Sequence, residues 1–446
     1  MKKITIKSWL LALIAGMLAV MPACKLDDIE NPNAPTIESL EDGGASLNDL
    51  RLLTAGLESV LRVDMELHYW TVNVVGRELW DLRQVDPRYT GELLGKGGSP
   101  LDPNGFLTTR AYATHYRAAR NAWILIHAAD NNQASLTTGQ ANGFKGYART
   151  ILAYALLLEL NRQYENGIRT DVEDRDNLGP FRSYNEALRD IAAYLTQAYT
   201  ELNGSDTDFL FSNTLGDLTK FKQFNRAIAA RVAMYEGSKG EMRGFLADTW
   251  LDLDGDMNEG VYHVFGLGGN NIPNPMYTVA GETQYITHPQ TVAQADTIQI
   301  INGSDTTVVT DSRLTSRTTK LDAALDSDGL SGDVQVTLVP SNTSPFPIIR
   351  NEELILMWAE ANIGFDNAET VRAINKVRAA AGMRDYNGPT DDASLTNQLL
   401  HERRYSLFGE GHRWIDMRRF DRLSELPIDR AGDVVHRQFP RPVLEQ

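Results

Sequence analysis

The chain has 446 residues, of which 42% are hydrophobic and 23% are charged, a globular composition that excludes disordered and collagen-like proteins. Its formal net charge is -16. Because a negative potential repels phosphate groups, this acidity argues against nucleic acid and anionic lipid surfaces as partners.

The first 23 residues have the pattern of an export signal. Lysines at positions 2, 3 and 7 precede an uncharged apolar run over residues 9–21. That run is too short to span a bilayer as a helix and is typical of the core of a cleaved signal peptide. We therefore predict that residues 1–23 are removed from the mature protein.

Cys24 is the only cysteine and directly follows this signal, in the sequence "VMPAC". A lone cysteine in an exported protein cannot form an internal disulfide. "MPAC" resembles a lipobox, the motif at which bacterial lipoproteins are cleaved and acylated. Acyl chains on Cys24 would hold the protein on a membrane, since each buried methylene contributes about 0.8 kcal/mol. The alternative is an ordinary signal peptide with an incidental cysteine.

Residues 24–45 are rich in Pro, Asn, Gly and acidic residues, a composition that predicts an acidic flexible tether. The "KLDDIE" that follows Cys24 resembles the surface-export signal of lipoproteins of the Bacteroidetes. That resemblance implies that the protein faces outward from the outer membrane.

From Ser46 onwards, hydrophobic residues recur every three or four positions, which is the period of amphipathic helices. The clearest case runs from Tyr184 to Leu202 and stops at Asn203 and Gly204. The same period predicts helices at 47–62, 64–82, 108–129, 140–163, 221–237, 350–363, 367–381 and 392–408. Stretches such as "GYARTILAYALLLELNRQY" combine small alanines with large aromatics, as tetratricopeptide-type helix pairs do. We predict a mainly α fold of antiparallel helix pairs.

The segment 68–89 interleaves aromatic rings with arginines. Its candidate ligand-binding residues are Trp70, Arg77, Trp80, Arg83 and Tyr89. Aromatic rings stack on sugars or on peptide side chains, and arginines bind hydroxyls, carboxylates or carbonyls. The alternative is a helix core with exposed salt bridges. We expect Tyr89 and the glycine-rich loop "GELLGKGGS" at 91–99 to be exposed, and the loop to be flexible, because its spacing does not fit a phosphate-binding loop.

Residues 251–345 interrupt the helical pattern with many Gly, Asn, Pro and Thr residues. The sequence "DTIQIINGSDTTVV" predicts a β-hairpin around Asn302 and Gly303. We predict a loop-rich, partly β insertion, and loops on a rigid scaffold commonly carry binding groups.

One acidic stretch inside this insertion is a weak calcium candidate. Asp252, Asp254 and Asp256 have the spacing of oxygen ligands in a calcium loop. Met257, however, stands where such a loop needs glycine for its sharp turn. The alternative is an acidic, solvated turn.

The stretch "HERRYSLFGEGHRW" at 401–414 looks at first like an enzyme site. His401 and Glu402 resemble the start of a zinc-protease motif, but Tyr405 stands where the second histidine must be. No Gly-x-Ser-x-Gly sequence supplies a nucleophile either. We therefore predict no catalytic residue.

We predict instead a structural role for this stretch. A helix ends near Arg404, the glycines at 409 and 411 reverse the chain, and another helix follows. Glu410, Asp416 and the arginines would then form an ionic cluster. We expect His401→Ala to leave ligand binding intact and Arg413→Ala or Asp416→Ala to lower the melting temperature.

Several of these segments together resemble the SusD/RagB family of nutrient-binding surface lipoproteins. The segments are "GYARTILAYALLLELNRQYENG", "SYNEALRDIAAYLTQAY", "FNRAIAARVAMYEGSKG", "RNEELILMWAEANIG" and "AINKVRAAAG". The last and most specific motif is the family signature, carried here by Glu402, Arg403, Arg404, Glu410, Gly411, His412, Arg413, Asp416 and Arg419.

The resemblance implies a single SusD-like domain over residues 46–446, made of a helical-repeat part (46–250), the irregular insertion (251–345) and a C-terminal helical part (346–446). It implies a binding protein without catalysis or cofactor, anchored through lipid such as palmitate on Cys24. Such a protein passes a glycan, oligosaccharide or peptide to a SusC-like TonB-dependent transporter. Two alternatives remain from the residues alone, a secreted glycoside hydrolase with paired carboxylates and a helical-repeat scaffold that binds protein.

Overall fold

The computed structural model describes residues 36–132, 135–206, 215–269, 271–302 and 305–445. The predicted signal peptide, Cys24 and the tether up to residue 35 lie outside these ranges. Among the described residues, no helix combines the length and the apolar character that crossing a membrane requires.

Helices form most of the framework, and their bounds follow the predicted period closely. In chain order the helices are α1 (Leu47–Val60), α2 (Met65–Val75), α3 (Phe106–Asn131), α4 (Thr138–Gln163), α5 (Tyr184–Asn203), α6 (Leu218–Glu236), α7 (Lys239–Leu246), α8 (Pro289–Ala293), α9 (Ser312–Thr315), α10 (Asn351–Asn362), α11 (Asn367–Ala380), α12 (Asp392–Ser406) and α13 (Arg413–Arg419). The mainly α prediction is confirmed, although α7 and the short helices α8 and α9 were not predicted.

Local side-chain chemistry explains where these helices begin and end. Ser46 and Asp49 form a capping box at the start of α1, and Thr137 and Gln140 form another at the start of α4. Each box satisfies backbone N–H groups that the first turn of a helix leaves without partners. Gly237 ends α6 with φ of 75°, a left-handed conformation that glycine adopts without steric cost.

Consecutive helices pack against each other through small residues. The first and largest hydrophobic cluster contains residues of α1, of each helix from α3 through α7, and of part of α10. Between α4 and α5, the backbone of Gly146 lies so close that an added Cβ would stand 2.7 Å from Cγ of Leu202. The predicted combination of small and large residues thus allows neighbouring helices to approach closely.

Six of the strands among the described residues lie in the region 251–345 that the sequence predicted as partly β, and the others lie outside it. The strands are β1 (Leu79–Asp81), β2 (Ile168–Arg169), β3 (Phe181–Arg182), β4 (Gly260–His263), β5 (Tyr285–Thr287), β6 (Thr297–Asn302), β7 (Asp305–Thr310), β8 (Thr318–Ser327), β9 (Leu330–Val336) and β10 (Phe346–Arg350). One sheet has the order β1-β5-β9-β8, and the pairs β10-β4, β2-β3 and β6-β7 are separate. The β6-β7 pair confirms the predicted hairpin, with Ile298 opposite Val309.

Two predicted boundaries are wrong. The helix predicted over 64–82 ends at Val75, because Arg77 adopts a positive φ of 55° and Leu79 then pairs with Thr287 as part of a strand. A sheet partner some 200 residues away in the sequence cannot be read from local periodicity.

The second wrong boundary concerns the tether predicted up to residue 45. The chain is already helical over Ile37–Ser39 and Leu40–Gly44. Leu40 is buried in the first cluster, and the carboxylate of Glu41 lies 3.0 Å from the guanidinium of Arg120. Contacts with α3 thus order a segment whose composition is typical of a loop.

Candidate ligand-binding surface

Three of the five predicted ligand-binding residues are buried. The exposed fractions of Trp70, Arg77 and Trp80 are 3%, 1% and 5%. They therefore do not form the ligand surface that the sequence predicted. Arg83 and Tyr89 are only partly buried and are the two members of the set that reach the surface.

The buried three support the surface from below. The ring of Trp70 stacks on that of Tyr285 with centroids 4.0 Å apart. Arg77 and Trp80 converge on one carboxylate, that of Asp429, at 3.4 Å and 3.1 Å. Because these groups are desolvated and paired, they fix the backbone that carries Arg83 rather than contact a ligand.

Above them, rings and guanidinium groups alternate in what we call the aromatic–arginine column: Tyr285, Arg83, Tyr89, Phe106 and Arg88. The guanidinium carbon of Arg83 lies 4.6 Å from the ring centre of Tyr285 and 4.5 Å from that of Tyr89. Tyr89 meets Phe106 edge to face at 6.1 Å, and Arg88 lies 4.4 Å over Phe106. Cation–π and edge-to-face contacts stabilise such an arrangement.

Each arginine of the column is fixed by an aspartate two residues before it. Arg83 binds Asp81 through Nε and Nη2 at 2.9 Å and 2.7 Å, and Arg88 binds Asp86 with the same atoms and distances. Burial alone would lower the pKa of Arg83, but the bond to Asp81 and the adjacent tyrosines raise it above its usual value. Arg83 therefore remains a cation.

The column can bind a ligand that has both apolar faces and hydrogen-bonding groups. The side chains of Arg83 and Arg88 are 31% and 36% exposed, and the Asp contacts occupy only Nε and Nη2 of each guanidinium. Among the described residues no bond to Nη1 of either arginine is found, so this atom remains for a ligand hydroxyl or carbonyl, beside the partly exposed rings of Tyr89 and Phe106. Sugars and peptides both have this combination of groups.

Sequence reasoning missed Phe106, Arg88 and Tyr285. The sequence did contain a signal for Arg88, because Asp81-x-Arg83 and Asp86-x-Arg88 repeat one spacing. At that spacing, an aspartate can bind both the backbone of its own turn and the side chain of the arginine. Tyr285 lies on β5 and Phe106 begins α3. No local pattern links these two residues to the segment 68–89.

The glycine-rich loop at 91–99 is attached to the protein rather than flexible. Leu93 and Leu94 are buried in the second hydrophobic cluster. The carbonyl of Gly95 accepts a hydrogen bond from the N–H of Val434 at 3.1 Å, and Lys96 pairs with Asp328. Packing of the two leucines therefore overrides the flexibility expected from the glycines.

The calcium candidates do not converge. Asp252 and Asp256 each accept a hydrogen bond at 2.9 Å from the backbone two residues on, and Asp254 pairs with Lys376. Because these three carboxylates do not form a converging group among the described residues, the structure favours the acidic, solvated turn.

One group of metal-ligating type does converge within the described residues, formed by Asp296, His401 and Glu402. The guanidinium of Arg378 bridges it, at 2.7 Å from Asp296 and 2.6 Å from Glu402. A cation thus already occupies the position that a metal ion would take, and these groups form a structural ion pair.

The signature stretch forms the predicted ionic cluster in part, around Asp416, whereas Glu410 pairs with Arg317 and Arg350 from other segments. Asp416 accepts hydrogen bonds from Arg403 at 2.7 Å and from Arg419 at 2.9 Å. Gly409 and Gly411 both have φ of 80° and reverse the chain between α12 and α13. Burial would raise the pKa of Asp416, but the two arginines lower it to about 2.

Arg413 does not belong to this cluster. It lies near a second arginine, Arg404, and near the buried carboxyl of Glu78. Burial, with Arg404 adding to it, lowers the pKa of Arg413 to about 10, and burial raises the pKa of Glu78 to about 8. The prediction that the arginines of this stretch pair with Glu410 and Asp416 is therefore wrong for Arg413, whose Nε has no hydrogen-bond partner among the described residues.

Comparison with known proteins supports the family resemblance over part of the chain. The sequence model described as the SusD family matches residues 328–438, the region that contains the signature stretch. The resemblance to the SusD family is confirmed. No curated protein matches the chain.

Solved structures extend the SusD-like fold to most of the chain. A SusD superfamily protein from Bacteroides vulgatus is 16% identical with a TM-score of 0.66, covering 90% of this chain and 96% of its own. A SusD homolog from Bacteroides thetaiotaomicron is 14% identical with a TM-score of 0.64, covering 92% and 97%. A "SusD-like carbohydrate binding protein" from Bacteroides vulgatus is 14% identical with a TM-score of 0.61, covering 84% and 83%. At identities this low, the structural similarity establishes the fold alone.

Proposed function

We propose that this protein is a surface lipoprotein that captures a glycan or oligosaccharide and delivers it to a TonB-dependent outer-membrane transporter. The aromatic–arginine column is the observation that carries the proposal, because it presents partly exposed aromatic rings and guanidinium groups side by side. The SusD-like fold supports the same role, and one similar structure is described as carbohydrate binding. The protein acts by binding, without catalytic turnover.

Calorimetric titration of the purified protein with a panel of neutral oligosaccharides and of short peptides tests the ligand site. Tyr89→Ala and Phe106→Ala should weaken binding about tenfold, because each removes one stacking ring. Val85→Ala is the matched control, since Val85 is exposed in the same segment but lies outside the column. Equal affinities for wild type and Tyr89→Ala would show that ligand binds elsewhere. Tight binding of peptides alone would make the ligand a peptide.

The same incubations test the absence of catalysis. Chromatography of the oligosaccharides after incubation should show no shorter products. Product formation that disappears when a single carboxylate is replaced would identify a glycoside hydrolase instead.

Lipid attachment is tested by Cys24→Ser. The wild-type protein should incorporate labelled palmitate and fractionate with the outer membrane, whereas the variant should do neither. A variant that remains in the membrane fraction would locate the anchor elsewhere.

Delivery to a transporter is tested by purifying the tagged protein from outer membranes. A large TonB-dependent β-barrel should co-purify with it in stoichiometric amount. If the protein is recovered alone under all solubilising conditions, it does not form the complex that we propose.

A further inference from the structure

A cleft of about 560 Å³ lies apart from the column, between the signature turn and the β insertion. Its volume falls in the range of small-molecule sites in proteins. The cleft forms where Gly409 approaches the segment 338–347, because an added Cβ at Gly409 would stand 2.5 Å from Leu338. The residues of its lining that matter here are Tyr262, Arg317, Phe346, Arg350, Phe408 and Glu410.

A polar pair forms part of the cleft. Oε1 of Glu410 accepts a hydrogen bond from Arg350 at 2.9 Å and forms an ion pair with Arg317 at 3.1 Å. Nη1 of Arg317 also donates to the carbonyls of Ser406 and Phe408, at 3.0 Å and 3.1 Å. These contacts fix the side chain of Glu410 through Oε1 and that of Arg317 through Nη1.

The remaining atoms of this pair are available to a ligand. Within the part of the chain that the structure describes, Oε2 of Glu410 accepts no hydrogen bond, and Nε and Nη2 of Arg317 donate none. A carboxylate acceptor and a guanidinium donor thus stand beside each other in fixed positions. Two neighbouring hydroxyl groups, one donating and one accepting, match this pair.

The other walls are apolar and partly aromatic. Tyr262 is partly exposed, and its hydroxyl donates to the backbone carbonyl of Asn258, which fixes the ring. Phe346 and Phe408 belong to the lining and are almost fully buried, and prolines at 340, 345 and 347 complete the wall. An apolar ring face opposite fixed polar groups suits the C–H face of a sugar ring.

We infer that this cleft is a second ligand site that takes a neutral sugar, with a ring against Tyr262 and two adjacent hydroxyls on Glu410 and Arg317. The ligand is neutral because the buried charges already balance: Arg317 and Arg350 face Glu352 and Glu410. A charged ligand would leave one buried charge without a partner. The choice of sugar rests on the proposed function, but the site shares no residue with the column.

The test uses saturation-transfer NMR and calorimetry of the purified protein with maltose, cellobiose and xylobiose as probes. Tyr262→Ala should weaken binding in the cleft about tenfold, because it removes the stacking ring. Asn258→Trp should abolish that binding, because Asn258 is exposed at the cleft and a large ring there fills it. Val85→Ala, at an exposed residue outside both sites, is the matched control and should leave all binding unchanged, whereas Tyr89→Ala should remove only binding at the column. Melting temperatures show whether each variant is folded.

The outcomes separate the two sites. If binding of at least one disaccharide is lost in both cleft variants and kept in Tyr89→Ala, the second site is established, whatever happens at the column. If binding is lost only in Tyr89→Ala, the proposed function stands and the second site is refuted. If no disaccharide binds in the cleft, or if digalacturonic acid or a dipeptide binds there more tightly, the inference is overturned.

Discussion

Asp416 lies fully buried between two arginines, Arg403 and Arg419, and its carboxylate holds α12 and α13 together across the signature turn. Such a pair is costly to break because removing one charge leaves the other buried without compensation. Arg413, three residues earlier, has the opposite environment. Burial, and after it the nearby charge of Arg404, lowers the pKa of Arg413, so the fold disfavours its charge.

We therefore predict that Asp416→Asn lowers the free energy of unfolding by about 3–5 kcal/mol. Arg413→Gln should lower it by less than about 1 kcal/mol, because the charge that it removes is already unfavourable. Urea denaturation at pH 7 measures both. Equal losses for the two variants would show that Arg413 takes part in the ionic cluster after all.

Asp416 also contributes a pH dependence. Its pKa of about 2 in the folded state lies below the value of 3.8 for an unperturbed aspartate. Its contribution is therefore fully present above about pH 4 and is lost as the pH falls toward 2, about 2 kcal/mol in all. Denaturant midpoints between pH 2 and pH 5 should fall more steeply for wild type than for Asp416→Asn.

Glu78 is buried, and no described residue donates a hydrogen bond to its Oε2 atom. Burial raises the pKa of this carboxyl to about 8. In this case the carboxyl is protonated in the folded protein and ionised in the unfolded chain. Its contribution to stability is fully present below about pH 4.5 and is lost as the pH rises through 8.

Replacing Glu78 by glutamine keeps the shape and removes the titration. Between pH 5 and pH 8, the free energy of unfolding should therefore fall more steeply in wild type than in Glu78→Gln, by up to about 1.4 kcal/mol per pH unit. Urea midpoints across this range give the comparison. Parallel curves for the two proteins would mean that Glu78 is ionised in the fold.

At the scale of elements, the spacing between α4 and α5 depends on Gly146. An added Cβ there would lie 2.7 Å from Leu202 and 2.8 Å from the carbonyl oxygen of Ala198, both on α5. Gly56, in α1, is also in a helix interior, but an added Cβ there has no atom within 4 Å. The two glycines thus differ in how closely they are packed, but both carry the cost in backbone entropy that glycine has in a helix.

Gly146→Ala should accordingly lower the free energy of unfolding by about 1–3 kcal/mol, because the methyl group pushes two packed helices apart. Gly56→Ala should raise it by about 0.5–1 kcal/mol through lower backbone entropy in the unfolded chain. Thermal denaturation of both variants gives opposite shifts in melting temperature. A stabilised Gly146→Ala would show that α4 and α5 can separate without loss.

At the scale of the whole molecule, N-terminal and C-terminal parts share one core. The second hydrophobic cluster contains residues of 65–107 together with residues of 265–439. Ring contacts make the same connection, since Tyr69 meets Phe346 at 4.8 Å. Helix α2 is therefore buried by residues that follow it by more than 200 positions.

We predict that residues 36–250 expressed alone do not fold cooperatively, because α2 would expose its buried face to water. The full chain should melt in a single transition by near-ultraviolet circular dichroism, whereas the fragment should show none and should be cleaved rapidly by trypsin. A sharp transition in the fragment would divide the chain into two independent domains.

The sequence by itself determined the features that depend on neighbouring residues. Period and caps predicted most of the long helices within about two or three residues, Asn302-Gly303 predicted the hairpin, and the signature stretch carried the resemblance to the SusD family. Only the tertiary structure decided which residues reach the surface. Trp70, Arg77 and Trp80 looked like Tyr89 in sequence, yet Tyr285 and Asp429 cover them from distant segments. Tyr285, Phe106 and the Glu410–Arg317 pair were brought to their sites in the same way. Burial depends on such long-range partners, and local periodicity does not identify them.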